Sequence, residues 1–393
     1  MTDILYLAWR YLSYHRIKTA ILIASITLIV FLPVGLQVIV GQSAEELTSR
    51  AQATPLLIGA AGSPLELVLN SLYFETETPK LTDFGESLRI ADTGLAQSIP
   101  LYVRFRSRDQ PIVGTSLEYF DFRELKLAKG RAMALLGECV LGAKAAEIME
   151  VKVGGTVISS PESVFDLAGV YPLKMKVVGV LEPAYNADDE AIFVDLKTAW
   201  VIEGLVHGHQ DLAAPEAASG VLSRDEETIT ANASVVQYSE ITPDNIDSFH
   251  FHGDMSGYPL SAVVAVPFDQ KSGTILMGRF ESAEEQSQIV RPVGVMNELL
   301  ATILTIQGFV VAAILIVASA TLATAALVFM LSLRLRRREI DTMVKIGGSR
   351  GRIGAVLISE IVAVLSIGVF LAGGLTLLTS RFGAQLIQAL LLG

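Results

Sequence analysis

The chain has 393 residues, of which 51% are hydrophobic and only 18% are charged. Soluble domains carry about 25% charged residues, so this composition indicates an integral membrane protein. The formal net charge of −11 argues against a nucleic-acid partner, because binding to phosphates requires a positively charged face.

The N-terminus combines an amphipathic segment, 1–18, with an uncharged apolar stretch, 19–44. Apolar residues at helical spacing predict that 1–18 is a helix lying in the cytoplasmic interface of the membrane. The stretch that follows exceeds the about 20 residues that a transmembrane helix needs. Cleavage of a signal peptide near Ser43 is the alternative, but signal cores run about 7–15 residues. We therefore expect an uncleaved anchor.

Residues 45–298 form a long polar segment with a net charge of −18. Its single cysteine, Cys139, excludes an intramolecular disulfide, so the segment must be stabilised by its own core. Helical spacing predicts a helix at 142–151. Short runs rich in β-branched residues and bounded by Pro, Gly and Asp predict strands. These runs are 173–181, 191–196 and 259–268.

Four of the five histidines lie in an excursion at about 201–258, in two copies of His-x-His-x-Asp. Residues i and i+2 of a strand share a face, so each copy could present two imidazoles and a carboxylate to one Zn²⁺ ion, or the four histidines could bind one ion together. Neither copy lies in an obvious strand, and polar loop residues are the alternative. The six candidate ligands are His207, His209, Asp211, His250, His252 and Asp254.

Two further apolar stretches follow, at 299–333 and 353–380, and residues 381–393 are too few to cross a bilayer. As one helix, 299–333 would be about 52 Å long against a hydrocarbon core of about 30 Å, so we expect it to leave the membrane as a stalk. Small residues recur along this stretch and favour close packing against another helix, most simply that of a second subunit.

Basic residues predict the orientation of these spans. Residues 1–18 carry a net charge of +2 and residues 334–352 a net charge of +5. By the positive-inside rule both belong in the cytoplasm, which places 45–298 and the C-terminus on the other side. The predicted fold class is therefore an integral membrane α-helical protein with three transmembrane helices and a large α+β extracytoplasmic domain.

The loop 334–352 has the features of a partner-binding segment. Its triple arginine forms a cationic collar at headgroup depth, apolar residues can line one face of a short helix, and two glycines end that helix. Such a helix can insert into a groove of a partner, and an interfacial helix lying on lipid is the alternative. The residues concerned are Arg336, Arg337, Arg338, Glu339, Ile340, Met343, Val344, Ile346, Gly347 and Gly348.

The run "LRRREIDTMVKIGGSRGRIGAVLISEI" at 335–361 resembles the cytoplasmic link of the FtsX/MacB-type permeases of ABC transporters. Residues 114–157 and 176–200 are similar to the periplasmic core of the same family. Members usually have a fourth span that returns the C-terminus to the cytoplasm, and this chain departs from that pattern. Glu360 lies inside the third span, where either a role in transport or pairing with the arginine collar would explain it.

The resemblance implies a permease homodimer in the bacterial inner membrane, working with two copies of a separate ATPase that binds ATP and Mg²⁺. It implies mechanotransmission to the periplasmic domain, with a lipoprotein, lipid, peptide or drug as cargo and a periplasmic adaptor or binding protein as a further partner. The chain is not expected to be an enzyme, because its nearest P-loop look-alike, 347–354, lacks Gly-Lys-Ser/Thr. An FtsX-like activator of an extracytoplasmic enzyme and a zinc-linked transporter or sensor are the alternatives.

Overall fold

The computed structural model describes residues 2–160, 172–208, 221–224, 229–231, 238–281, 285–346 and 349–391. The chain divides into two compact units. One is helical and comprises Met1–Leu47 and Glu298–Gly393, and the other is the ectodomain, Thr48–Asn297.

Five helices run through or into the helical unit: α1 (Thr2–Tyr14), α2 (Arg16–Gln52), α9 (Pro292–Leu335), α10 (Arg337–Lys345) and α11 (Arg350–Leu391). Within the described residues, three helical segments are long and apolar enough to cross a membrane: Arg16–Gln52, Pro292–Leu335 and Gly351–Phe382. They contain the three apolar stretches of the sequence. The last helix continues past residue 380, where the predicted span ended.

Helices α2 and α11 are joined by hydrogen bonds at two levels. The hydroxyl of Thr27 donates to the carbonyl oxygen of Gly368 at 3.2 Å, and the side-chain amide of Gln42 donates to that of Ser380 at 3.0 Å. Both contacts advance in the same chain direction, so the two helices run parallel. A Cβ atom at Gly368 would approach the side chain of Ile26 to 2.6 Å, so the glycine permits this close packing.

A ten-stranded mixed sheet forms the centre of the ectodomain, in the order β16-β1-β15-β3-β4-β9-β6-β8-β5, with β7 also paired to β8. The β4–β9 and β6–β8 pairs are parallel and the other pairs are antiparallel. The strands are β1 (Leu56–Ala60), β3 (Ala96–Ser107), β4 (Gln110–Thr115), β5 (Leu127–Gly130), β6 (Glu138–Leu141), β7 (Thr156–Ile158), β8 (Lys174–Leu181), β9 (Ile192–Asp195), β15 (Ala262–Pro267) and β16 (Ser287–Val290).

Three two-stranded sheets lie outside it and pair β2 with β14, β10 with β13, and β11 with β12. Their strands are β2 (Thr82–Asp83), β10 (Val206–Gly208), β11 (Val221–Arg224), β12 (Ile229–Ala231), β13 (Phe249–Phe251) and β14 (Pro259–Leu260). The remaining helices are α3 (Pro64–Tyr73), α4 (Phe84–Asp92), α5 (Glu118–Phe122), α6 (Ala143–Ile148), α7 (Leu196–Glu203) and α8 (Gln270–Arg279).

The three predicted strand runs are confirmed as β8, β9 and the β14–β15 segment, and the predicted helix is confirmed as α6. The β-branched runs succeed as predictors because these strands lie in the sheet interior, where packing favours such side chains. The core around them includes Trp200, whose ring meets those of Phe84 and Tyr258 edge-on and whose indole N–H donates to the carbonyl of Pro259. Cys139 is fully buried in β6, and burial raises the pKa of its thiol to about 12.

Candidate functional site

The segment between the second and third apolar helices is built around α10. The backbone breaks at Arg336, and α10 begins there, with the N–H of Ile340 donating to the carbonyl of Arg336 at 3.0 Å. Three apolar side chains are exposed at its end: Met343 is 43% exposed, Val344 37% and Ile346 80%. Exposed apolar side chains at the end of a helix whose other exposed side chains are mostly charged form a surface suited to a partner groove.

The three arginines of the predicted collar have different environments. Arg337 and Arg338 are exposed, whereas Arg336 is largely covered and pairs with the carboxylate of Glu360 at 3.2 Å. Its guanidinium also stacks over the ring of Tyr11, 3.6 Å from the ring centroid. Glu360 is only 2% exposed. Pairing with an arginine is thus what the structure shows for Glu360, and it offsets the cost of a carboxylate within an apolar helix.

The end of the predicted coupling segment is described only in part. Gly347 and Gly348 lie outside the described residues, and for Glu339 and Arg350 the structure gives the helical backbone alone. Ser349 precedes α11, and its hydroxyl accepts a hydrogen bond from the N–H of Arg352 at 3.4 Å. This places serine at an N-cap position, which favours a helix start.

A second polar site lies in the ectodomain, where the last turn of α2 is buried. The guanidinium of Arg50 is held by both carboxylate oxygens of Asp188, at 2.6 and 2.8 Å, and donates to the hydroxyl of Tyr119 at 2.8 Å. Its Nε donates to the carbonyl of Leu72, and its plane lies over the ring of Phe74. We call Arg50, Tyr119 and Asp188 the Arg50 cluster. It joins the end of α2 to α5 and to the turn that precedes β9.

The opposite charges of Arg50 and Asp188 compensate each other in a buried environment. Arg50 is 6% exposed and Asp188 is fully buried. Burial alone would raise the pKa of Asp188, but the charge of Arg50 and the hydrogen bonds from Arg50 and Tyr119 hold that pKa below its usual value. Burial also raises the pKa of Tyr119 to about 12, so its hydroxyl stays protonated and donates to Asp188 at 2.8 Å.

Sequence reasoning missed the Arg50 cluster. Its members are 69 to 138 positions apart along the chain, so no local spacing marks them. The available signal was weak: a single arginine, Arg50, stands in the last turn of α2, and the two charges nearest before it, Glu45 and Glu46, are acidic. Basic residues in the last turn are common for dipole reasons alone, so this signal does not separate a buried arginine from an exposed one.

The two histidine motifs are brought together at the backbone level. His207 lies in β10 and His250 in β13, and the two are direct Cα partners in an antiparallel pair. Each motif begins in a strand that the sequence does not make obvious, because these short strands are stabilised by pairing with each other rather than by a long apolar run. The rings of His250 and His252 are 4.7 Å apart between centroids.

The remaining candidate ligands do not join them in the described part of the chain. Asp254 caps a 3-10 turn, accepting hydrogen bonds from the N–H and the hydroxyl of Ser256 at 2.9 and 2.7 Å. His209 and Asp211 lie outside the described residues, and of His207 only the backbone is described. Among the described residues, no three His, Cys, Asp or Glu side chains are grouped closely enough to hold a metal ion.

Comparison with known proteins shows the family. The MacB-like periplasmic core domain matches residues 19–234. The periplasmic region of MacB from Actinobacillus actinomycetemcomitans is 12% identical, with a TM-score of 0.34 over 66% of this chain and 98% of that structure. The extracellular domain of the noncanonic ABC-type transporter YknZ from Gram-positive bacteria is 13% identical, with a TM-score of 0.32 over 60% and 98% respectively. No curated protein matches significantly. Since the family match covers more than half of the chain, this protein belongs to the MacB/FtsX-type family that its motifs predicted.

Proposed function

We propose that this chain is the permease subunit of an ABC transporter, which passes movement driven by a separate ATPase to its extracytoplasmic ectodomain. Two copies of the chain work with two copies of the ATPase in the bacterial inner membrane. The cargo is a lipoprotein, lipid, peptide or drug-like molecule. ATP and Mg²⁺ bind the partner, and this chain contributes surfaces and mechanical connections rather than catalytic groups.

The observation that carries this proposal is the Arg50 cluster. A helix passes on a movement only if its end is fixed in the body to be moved. The last turn of α2 is fixed by a bidentate ion pair, three further hydrogen bonds and an aromatic face, all inside the ectodomain. Because both terminal nitrogens of the planar guanidinium are hydrogen-bonded, the side chain can neither rotate nor leave its site without breaking several bonds.

The exposed apolar end of α10 supports the ATPase as the source of movement. Met343, Val344 and Ile346 would fill a groove on the ATPase, as amphipathic helices do in other complexes. The arginine–glutamate pair behind α10 would keep a push on α10 from being lost at the junction with α11.

ATPase binding can be tested with two variants on α10. Met343→Asp places a charge in the apolar surface. We expect it to weaken the affinity for the ATPase by a factor of about 100, so that the two proteins no longer co-purify. Lys345→Gln is the matched control, since it changes the net charge by the same amount on the same exposed helix. Equal binding by both variants would remove α10 as the coupling helix.

Transmission can be tested separately, with the assembled complex in lipid nanodiscs. Hydrogen exchange of the ectodomain is compared with and without ATP for the unmodified chain and for Arg50→Lys, which keeps the charge but loses the bidentate fork. We expect Arg50→Lys to bind the ATPase normally and to lose the ATP-dependent change in exchange. An unchanged response would show that movement reaches the ectodomain by another path.

A zinc-linked role is the second candidate, favoured by the pairing of His207 with His250. Directly opposed residues of an antiparallel pair share a face, and His252 lies two residues beyond His250. Titration of the full chain with Zn²⁺ by calorimetry tests it. Micromolar binding that is lost when His207, His209, His250 and His252 are all changed to Ala would support a zinc site. Equal, weak binding by both proteins would exclude it.

A further inference from the structure

Two grooves open between the helices of the helical unit. The first has a volume of about 470 Å³ and is lined by α1, α2, α9 and α11. The second has a volume of about 610 Å³ and is lined by the start of α2 and by α9. Both grooves are lined by His15, Lys18, Leu22 and Ala325, so the two grooves are adjacent, and we call their shared end around His15 and Lys18 the mouth.

The first groove has the dimensions of one membrane leaflet. Along α9 it is lined from Leu333 to Leu322, a distance of about 17 Å at 1.5 Å per residue. Half of a hydrocarbon core is about 15 Å. Most of its lining is aliphatic or aromatic, and its polar side chains come from the turn between α1 and α2 and from one position of α11. These polar side chains are Tyr11, His15, Lys18, Thr19 and Glu360.

The mouth of the grooves has an excess of positive charge. Glu360 is already compensated by its ion pair with Arg336. Lys18 also lines the mouth, and within the described part of the chain it forms no ion pair at 4.0 Å or less. The chain segments on either side, 1–18 and 334–352, carry net charges of +2 and +5. An anion at the mouth would therefore meet a favourable field.

We infer that these two grooves hold the two acyl chains of one anionic phospholipid, with its phosphate beside Lys18. A basic pocket between membrane helices that opens onto apolar walls is the arrangement that recognises such headgroups. The inference rests on the membrane placement in the proposed function, but it requires neither an ATPase nor a cargo.

A second copy of the chain is a poorer occupant of the grooves. In a symmetric contact the same surface faces itself, so a second Lys18 and a second Arg336 would meet the first. Like charges at close range in a low dielectric repel strongly. A phospholipid instead brings the opposite charge to the mouth and hydrocarbon to the walls.

The test uses the full chain, purified from mixed micelles that contain equal amounts of phosphatidylglycerol and phosphatidylcholine. Native mass spectrometry counts the retained lipids. We expect the unmodified chain to retain phosphatidylglycerol, and Lys18→Gln to lower the preference for it by about fivefold. Arg10→Gln is the matched control: it removes the same charge from the same segment, but Arg10 is exposed on α1 and lines neither groove, so the loss of preference for phosphatidylglycerol should be clearly larger for Lys18→Gln.

A second pair of variants tests the walls. Ala326→Trp fills the first groove and should reduce the retention of both lipids, whereas Ala323→Trp lies on the same helix outside both grooves and should not. Equal retention of the two lipids by the unmodified chain, or equal losses in a variant and its control, would overturn the inference. So would efficient cross-linking of two chains through Ala326→Cys, because a second copy would then cover the groove.

The two proposals fail in different ways. Selective lipid retention by a chain that binds no ATPase would leave the lipid site standing and remove the coupling function. ATPase binding without lipid selectivity would do the reverse.

Discussion

Arg50 and Asp188 depend on each other for burial. Neither charge has access to water, and each is paired through two short contacts with the other. Removing one partner leaves an uncompensated charge in the interior, which costs far more than the pair contributes on balance.

We therefore expect Arg50→Met to lower the free energy of unfolding by about 3–5 kcal/mol. Urea unfolding of the full chain in detergent measures this change, followed by the fluorescence of buried Trp200 in a Trp9→Phe background. Lys144→Met is the control, because Lys144 pairs with Glu190 in an exposed bridge worth less than about 1 kcal/mol. Similar losses in Arg50→Met and Lys144→Met would contradict the conclusion that the buried ion pair of Arg50 is the more important for stability. Adding Asp188→Leu to Arg50→Met should restore much of the lost stability.

The same carboxylate predicts a dependence of stability on pH. The pKa of Asp188 is lower in the folded protein than in the unfolded chain, where it is about 3.9. The stabilisation it provides is complete above that unfolded value and is lost as pH falls through the lower folded value. Thermal unfolding between pH 7 and pH 2 should show a steep acid loss that is flatter in Asp188→Asn. Parallel curves for the two proteins would refute this.

These residues also show where sequence reasoning ends. Arg336, Met343 and Ile346 are predicted as part of a coupling segment from local signals, namely arginines beside an apolar span and apolar residues at helical spacing, and that role stays a prediction. The pairing of Arg50 with Asp188 could not be predicted, because it depends on how the sheet brings distant turns together. The strand register that places His207 opposite His250 could not be predicted, for the same reason.

At the scale of elements, α2 and α11 pack around a glycine. Gly368→Val would force two methyl groups against Ile26, and overpacking of this kind costs about 1–3 kcal/mol. Gly374→Val is the matched control on the same helix, since a Cβ atom there meets nothing within 4 Å. Thermal scans in detergent should show a lower midpoint for Gly368→Val only. An equal effect of both variants would mean that helix propensity, rather than packing, is responsible.

Strands and helices were predictable to different degrees. Strands β8, β9 and β15 lie in the interior of the sheet and are rich in β-branched residues, so their composition predicts them. Strands of two or three residues, such as β2 and β10, carry too little sequence for any periodicity to be recognised. They exist because a partner strand supplies their hydrogen bonds.

For the whole molecule, hydropathy predicted the three apolar helices, and the charge of the flanking segments predicts their orientation. The fold of the ectodomain could be predicted only as mixed α and β, because the order of strands in a sheet is not encoded in local spacing. The family assignment came from motifs rather than from physical periodicity.

Orientation can be measured by labelling intact cells with a membrane-impermeant maleimide. We expect Lys152→Cys, exposed in the ectodomain, to be labelled from outside, and Lys345→Cys, exposed on α10, to be labelled only after the cells are opened. The unmodified chain provides the blank, because Cys139 is buried and its pKa of about 12 leaves almost no reactive thiolate. The opposite labelling pattern would show that the membrane topology is the reverse of the predicted one.

The parallel contact of α2 with α11 has a consequence for motion. The hydrogen bonds from Thr27 and Gln42 fix the relative height of the two helices at two levels, so sliding by one turn, about 5.4 Å, would break both. Within the helical unit, residues 16–47 of α2 and helix α11 therefore resist sliding past each other, so a displacement along the axis of one helix would carry the other with it.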